Sequence, residues 1–155
     1  MYYHYIYLHS LAIPYNSNIF VIVHELFFVA YQSKQDRSVL LALLTWYKVV
    51  TPSISNSIHF ILEILPSQET VCVSTMLSVI HSFLSDLQIL SSAFSIIITI
   101  LRIESDHDLT EVYKLLSSEE SINVYYACIE KWNDMQLYDM ILFLFNTLFT
   151  NRYLF

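Results

Sequence analysis

The sequence contains no glycine in 155 residues. At the average usage of about 7%, a chain of this length would hold roughly ten. Glycine is the usual residue wherever the backbone needs a positive φ or must approach a ligand closely. Its absence argues against phosphate-binding loops, dinucleotide-binding loops and the nucleophile elbow of hydrolases. It also removes the commonest β-hairpin turns, whereas helices can end without glycine, so an all-α fold is predicted.

Charged residues are also scarce. They make up 14% of the chain, against about 25% in an ordinary soluble domain. The 7 Lys and Arg are outnumbered by 14 Asp and Glu, which gives a formal net charge of −7. Such a chain cannot neutralise a row of phosphates, so a nucleic-acid partner is not expected. It also lacks the basic face of a helix that lies on a membrane surface.

Cysteine is nearly absent too. Cys72 and Cys128 are too few for a disulfide scaffold. Both are predicted to be buried free thiols, with a single disulfide bridge as the alternative. Cys128 lies in the middle of an apolar helical pattern, where burial would raise its pKa and keep the thiol inert.

The N-terminal residues "MYYHYIYLHSLAIPYN" contain no Lys or Arg, and histidines and a proline interrupt their apolar run. These residues therefore do not match the pattern of a signal peptide. We expect residues 1–17 to be irregular and the protein to be intracellular, either cytoplasmic or nuclear.

From residue 18 onward, apolar residues recur with helical spacing. A first helix is predicted from Ile19 to Tyr31, with later helices starting near residues 38, 53, 68, 86, 108, 119 and 135. Short breaks between helices favour antiparallel neighbours. We therefore predict a single domain over 18–155, made of about seven to eight short antiparallel helices. Its architecture is either a helical-repeat solenoid or a compact bundle.

Three sites carry helix-start signals. Thr51 and Pro52 are predicted as the N-cap and first residue of one helix. Asp108 and Glu111 have the spacing of a capping box, and so do Ser117 and Glu120.

Two apolar runs raise the alternative of a small multi-helix membrane protein. The runs "LQILSSAFSIIITIL" and "MILFLFNTLF" are shorter than the roughly twenty residues that a membrane-spanning helix needs. Extending them would bring Asp86, Arg102 or Asp139 to membrane depth, where charges are costly.

The stretch "HELFF" begins like the zinc-protease motif at His24, but Phe28 occupies the position of the second histidine. No metal is expected there, and His24 is predicted to lie at a helix surface or to pair with a neighbour. His59 and His81 are predicted to lie at the surface. No catalytic or cofactor-binding residues are predicted, so the chain is not expected to be an enzyme.

An acidic connection contains Glu104, Asp106 and Asp108, which alternate like the first ligands of a calcium loop. Leu109 and Leu115 stand where that loop needs glycine and a bidentate Glu, so no metal is predicted. The three carboxylates are instead candidates for contact with a basic partner peptide.

Aromatic residues are abundant, with 12 Tyr and 10 Phe. Tyr and Trp can anchor a partner protein or fill the grooves between helices. We predict groove filling for Trp132 and Tyr138. Tyr125 and Tyr126 are candidate partner-binding residues, and for Tyr125 the two alternatives stay open.

Residues 109–149 contain a short helix, a Ser/Asp-containing turn, a second helix with Ala127 and Cys128 at its middle, and a third apolar helix. This order resembles an armadillo or HEAT-type repeat. Residues 39–84 show a looser version, so the resemblance covers about two thirds of the chain. The glycine common at the first turn of an armadillo repeat is missing, which fits the HEAT type better.

The resemblance implies a non-catalytic scaffold whose concave face binds another protein or further repeats of the same array. A helical-bundle regulator that binds a partner helix is the alternative among interaction proteins.

Overall fold

A computed structural model describes residues 19–56, 67–103 and 108–154. Within these ranges the chain is all-helical and contains no strand, which confirms the predicted fold class. The elements are α1 (Ile19–Gln32), α2 (Arg37–Val50), a 3-10 helix (Thr51–Asn56), α3 (Gln68–Ser82), α4 (Leu87–Arg102), α5 (Thr110–Leu116), α6 (Glu119–Lys131) and α7 (Met135–Thr150). Residues 1–17 and most of the helix predicted from residue 53 lie outside the described ranges.

The chain divides into two compact units, Met1–Gln68 and Glu69–Phe155, called unit 1 and unit 2 below. The single domain expected over 18–155 and the repeat type both stay predictions.

In unit 1, α1 and α2 form a helical hairpin, and the 3-10 helix packs against both. At the end of α1, the Gln35 N–H donates to the Ala30 carbonyl (3.1 Å) and the Lys34 N–H to the Tyr31 carbonyl (3.2 Å). This is the Schellman pattern, which needs a left-handed residue and usually recruits glycine. Lys34 takes that conformation with a φ of 55°, and Arg152 ends α7 in the same way with a φ of 64°.

Aromatic rings fill the interior of unit 1 around Tyr47 of α2. The Tyr47 ring meets the rings of Phe20, Phe27 and His24 edge-on, at centroid distances of 5.5–5.7 Å. His24 is buried, and its Nδ1 lies 2.5 Å from the Tyr47 hydroxyl. Placement of His24 at a helix surface is therefore wrong, whereas pairing with a neighbour is confirmed across two helices.

In unit 2, α4 is the most buried helix, with nine of its sixteen residues inside. Its sequence is rich in isoleucine, whose branched Cβ is only moderately suited to a helix. Burial compensates, since each fully buried Ile contributes about 1.5–3 kcal/mol. The Asp86 side chain caps the first turn by accepting from the Ile89 N–H (3.3 Å). α4 packs against α7, so these two helices form the centre of unit 2.

Most helix starts agree with the sequence pattern within one or two residues, but the start signals predicted at Thr51, Ser117 and Asp108 are corrected. Thr51 begins no new α-helix: it ends α2 and opens the 3-10 helix, and its hydroxyl donates back to the Tyr47 carbonyl (2.7 Å). The N-cap of α6 is Ser118, one residue after the predicted Ser117. The N-cap of α5 is Leu109 rather than Asp108.

The hydrophobic runs in α4 and α7 do not make membrane spans. Among the described residues, no helix has both the length and the apolar character to cross a bilayer.

Candidate partner-binding surface

Two side-chain caps fix the start of α6 and α7. The Ser118 hydroxyl accepts from the Ser121 N–H (3.2 Å), and the Asp134 carboxylate accepts from the Leu137 N–H (2.8 Å). Each cap satisfies a backbone donor that the first helical turn leaves without an intrahelical partner. The negative charge of Asp134 also suits the positive end of the α7 dipole.

Trp132 anchors the connection between α6 and α7. Its indole Nε1–H donates to the Leu84 carbonyl between α3 and α4 (2.8 Å), and the side chain is half-buried. This agrees with the prediction that Trp132 fills a groove between helices. The contact ties the connection between α6 and α7 to the connection between α3 and α4.

Tyr125 is a core residue. Its side chain is fully buried, and its hydroxyl donates to the Leu116 carbonyl at the end of α5 (2.8 Å). Its ring contacts Phe94 and Phe145 at centroid distances of 6.0 and 5.9 Å. Burial raises the pKa of the Tyr125 hydroxyl, so it stays protonated. The ring and the hydroxyl of Tyr125 thus both make contacts inside unit 2. Tyr125 is therefore not exposed to a partner, and its prediction as a partner-binding residue is corrected.

α7 carries two rows of apolar residues on adjoining faces. The inner row is buried and consists of Leu137, Ile141, Leu144 and Leu148. The outer row consists of Met135, Tyr138, Leu142, Phe145 and Phe149. Four of its members have large exposed fractions: Met135 (75%), Tyr138 (48%), Leu142 (44%) and Phe149 (63%). Each outer residue from Tyr138 onward follows an inner one directly, which is a rotation of about 100° around the helix.

The outer row corrects the expectation for Tyr138. Its side chain does not fill a groove between helices, because about half of it is exposed. Both rows recur at helical spacing, so the sequence pattern does not distinguish them, whereas the structure buries only the inner row.

Tyr126 extends the outer row onto α6. Its side chain is 55% exposed, and its ring lies 5.7 Å from that of the half-buried Phe145. Tyr126 is therefore the sequence-predicted tyrosine that a partner can reach. Together, the outer row and Tyr126 form the candidate surface, which we call the α7 surface.

The opposite flank of α7 is more polar. A groove of about 530 Å³ separates it from α4. The groove is lined by Ser95, Ile98, Thr99, Arg102, Met135, Gln136, Asp139, Met140 and Phe143. The Arg102 guanidinium lies 4.6 Å from the centroid of the Phe143 ring and covers that ring with a cation. The outer row, rather than this groove, is therefore the more apolar exposed part of α7.

The acidic connection is described only in part. Asp108 is exposed, and its carboxylate accepts from the Thr110 N–H (2.9 Å) and hydroxyl (2.5 Å). These hydrogen bonds lower the pKa of Asp108. Glu104 and Asp106, the other two predicted partner-binding carboxylates, lie outside the described residues.

Burial favours the uncharged forms of Cys128 and His24. The pKa of the buried Cys128 thiol is raised to about 11, as the apolar pattern predicts, and that of His24 is lowered to about 4. Cys72 is likewise a buried thiol. His81 is exposed as predicted, and His59 lies outside the described residues. The described part of the chain contains no group of three or more His, Cys, Asp or Glu placed to hold a metal ion.

Comparison with known proteins finds no matching family model, no similar curated protein and no similar solved structure.

Proposed function

We propose that the chain is a non-catalytic protein-interaction module that binds a partner protein through the α7 surface. The observation that carries this proposal is the outer row of α7, where four large apolar side chains are exposed at spacings of three, four and seven residues, with the half-buried Phe145 inside the last interval. Exposed apolar residues scattered singly are ordinary, but contiguous ones mark interaction sites.

The chemistry of the surface supports the proposal. Aromatic residues are enriched among the side chains that dominate binding energy, because they bury a large area at a small cost in side-chain entropy. Tyr126, Tyr138 and Phe149 are aromatic and exposed. The tyrosines would bury their rings against a partner while each hydroxyl keeps a polar contact at the rim.

The resemblance to armadillo and HEAT repeats supports the same function. The predicted order of a short helix followed by two longer ones corresponds to α5, α6 and α7. In a helical repeat, the last helix packs against the next repeat or a partner. We propose that the α7 surface has this role, with intracellular binding to a separate protein as the main case.

Site-specific photocrosslinking would test the proposal. A photoreactive amino acid at Leu142 should capture a partner from the native cell extract, whereas the same group at Val49 on α2 should not. Val49 is a suitable control because it is 73% exposed and belongs to unit 1. The captured protein is then purified, and its affinity for the chain is measured by calorimetry.

The deciding comparison uses matched double variants. Tyr138→Ser/Leu142→Ser should weaken binding of the purified partner by about tenfold or more, because each side chain is an exposed anchor. Trp46→Ser/Val49→Ser removes two exposed apolar side chains from α2 and should leave the affinity unchanged. Equal affinity of the wild type and the α7 variant for the purified partner would refute the proposal.

A further inference from the structure

We infer that the partner presents an amphipathic helix whose apolar stripe is bordered by Lys and Arg side chains. This inference rests on the proposed function and specifies the chemistry of the partner. Three features of the α7 surface lead to it: the spacing of its residues, the charge around it, and the self-repulsion that charge would cause between two copies.

The spacing of the outer row matches a helix as the occupant. Its members follow each other at intervals of three, four, three and four residues, from Met135 to Phe149. This is the spacing of the seam along which two helices interdigitate. The row spans fourteen residue steps, or about 21 Å, which is the length of a partner helix of about fifteen residues. The described residues contain no strand, so they offer no sheet edge for an extended peptide.

The charge around the row favours a basic partner. Residues 119–154 contain five carboxylates and two cationic side chains, Lys131 and Arg152. Glu130 lies one helical turn after Tyr126 on α6. Asp139 follows Tyr138 directly and lies at the border between the outer row and the groove that Arg102 also lines. Within the described part of the chain, neither carboxylate is held in an ion pair. Both are therefore available to cations that border a partner's apolar stripe.

The same charges disfavour a second copy of this chain and an anionic membrane. In a two-fold dimer the same patch appears on both subunits, so two copies of this acidic surface would face each other. Like charges held together across an interface are destabilising. An anionic bilayer would repel the surface for the same reason, since it attracts basic segments.

Three labelled synthetic peptides of about eighteen residues test the inference against the full chain. All share one apolar stripe at heptad spacing, and the flanking positions carry Lys, Glu or Gln. By fluorescence anisotropy at about 50 mM NaCl, the Lys peptide should bind about tenfold more tightly than the Glu peptide, with the Gln peptide between them. The difference should shrink at about 500 mM NaCl, where exposed charges are screened.

Matched neutralising variants locate the effect. Glu130→Gln/Asp139→Asn should remove most of the advantage of the Lys peptide. Asp108→Asn/Glu111→Gln removes the same charge from the acidic connection and α5, and it should leave the advantage within about twofold of wild type. The opposite result would place the basic contact on the acidic connection and overturn the inference.

The remaining outcomes separate this inference from the proposed function. If all three peptides bind equally well, and Tyr138→Ser/Leu142→Ser abolishes that binding, the charge preference is overturned. The α7 surface would then still be a protein-binding site. Failure of every peptide while the crosslinked partner still binds would overturn the helical occupant alone. Dimerisation that Leu142→Ser abolishes would identify a second copy instead. Binding to vesicles of mixed neutral and anionic phospholipids, lost in the same variant, would identify a membrane.

Discussion

Nδ1 of His24 and the hydroxyl of Tyr47 share a hydrogen bond of 2.5 Å that joins α1 to α2 inside unit 1. Burial lowers the pKa of His24 from 6.5 to about 4. The native state therefore holds a neutral imidazole over a pH range in which the unfolded chain binds a proton.

Acidification should consequently destabilise unit 1. Between pH 6.5 and about 4 the unfolded state binds more protons than the native state, so the free energy of unfolding falls as the pH falls through this window. We expect a loss of about 2 kcal/mol between pH 7 and pH 5. Urea unfolding at both pH values measures it. His24→Leu should flatten this dependence, whereas replacing the exposed His81 by Ala should preserve it.

The neighbours Tyr125 and Tyr126 should respond oppositely to substitution. Tyr125→Phe removes the hydrogen bond to the Leu116 carbonyl and should cost about 1 kcal/mol, and Tyr125→Ala about 3–5 kcal/mol. Tyr126→Ala should change stability by less than about 0.5 kcal/mol because the side chain is exposed. Denaturant unfolding compares the three. Similar losses for both alanine variants would contradict the assignment of Tyr125 to the core and Tyr126 to the surface.

The adjacent serines before α6 provide a second matched pair. Ser118→Ala removes the side-chain cap on the Ser121 N–H and should destabilise unit 2 by about 1 kcal/mol. Ser117→Ala should have an effect below about 0.5 kcal/mol, since its exposed hydroxyl makes only a long contact (3.4 Å) to the Lys114 carbonyl. Thermal unfolding followed by circular dichroism distinguishes them. A larger loss of stability in Ser117→Ala than in Ser118→Ala would instead support Ser117 as the N-cap, as the sequence predicts.

Introducing glycine at one position should stabilise the protein. Lys34 has a φ of 55°, and a side chain with a Cβ costs roughly 1–2 kcal/mol in this region. Lys34→Gly should therefore raise the free energy of unfolding by up to about 1 kcal/mol, after the greater entropy of glycine in the unfolded chain is subtracted. Gln35→Gly is the control at the next position and should give no gain. A loss in Lys34→Gly would mean that the Lys34 side chain makes contacts worth more than its backbone strain.

Hydrophobic periodicity was enough to place the seven α-helices of the described ranges, because each one buries an apolar face that recurs at helical spacing. It did not indicate the 3-10 helix at Thr51–Asn56. It could not show how α1 and α7 end, since the left-handed positions are held by Lys34 and Arg152 instead of glycine. The N-cap of α6 lies one residue after the predicted Ser117, because adjacent serines offer equivalent side chains and backbone geometry decides between them. At α5 the carboxylate of the predicted Asp108 does accept from a first-turn donor, the Thr110 N–H, although the backbone places the N-cap at Leu109.

The candidate surface was only partly predictable. Tyr126 was identified, but Tyr125 could not be separated from it, because one residue of rotation on α6 decides which ring enters the core. The outer row was missed because α7 is apolar on two adjoining faces, and composition does not say which face is covered. The signal that was available is the pairing of apolar neighbours, as in Leu137 with Tyr138 and Ile141 with Leu142.

The two rows of α7 also bear on how the sequence selects one packing arrangement. Turning α7 by about 100° would exchange the inner row for the outer one, and hydrophobicity alone gives little reason to prefer either. The preference must come from side-chain volume, with aliphatic residues inside and larger aromatic ones mostly outside, and from the polar anchors at Trp132 and Asp134. A variant that lacks the Trp132 and Asp134 side-chain hydrogen bonds should therefore allow α7 to adopt more than one rotation within unit 2 before the helix content falls.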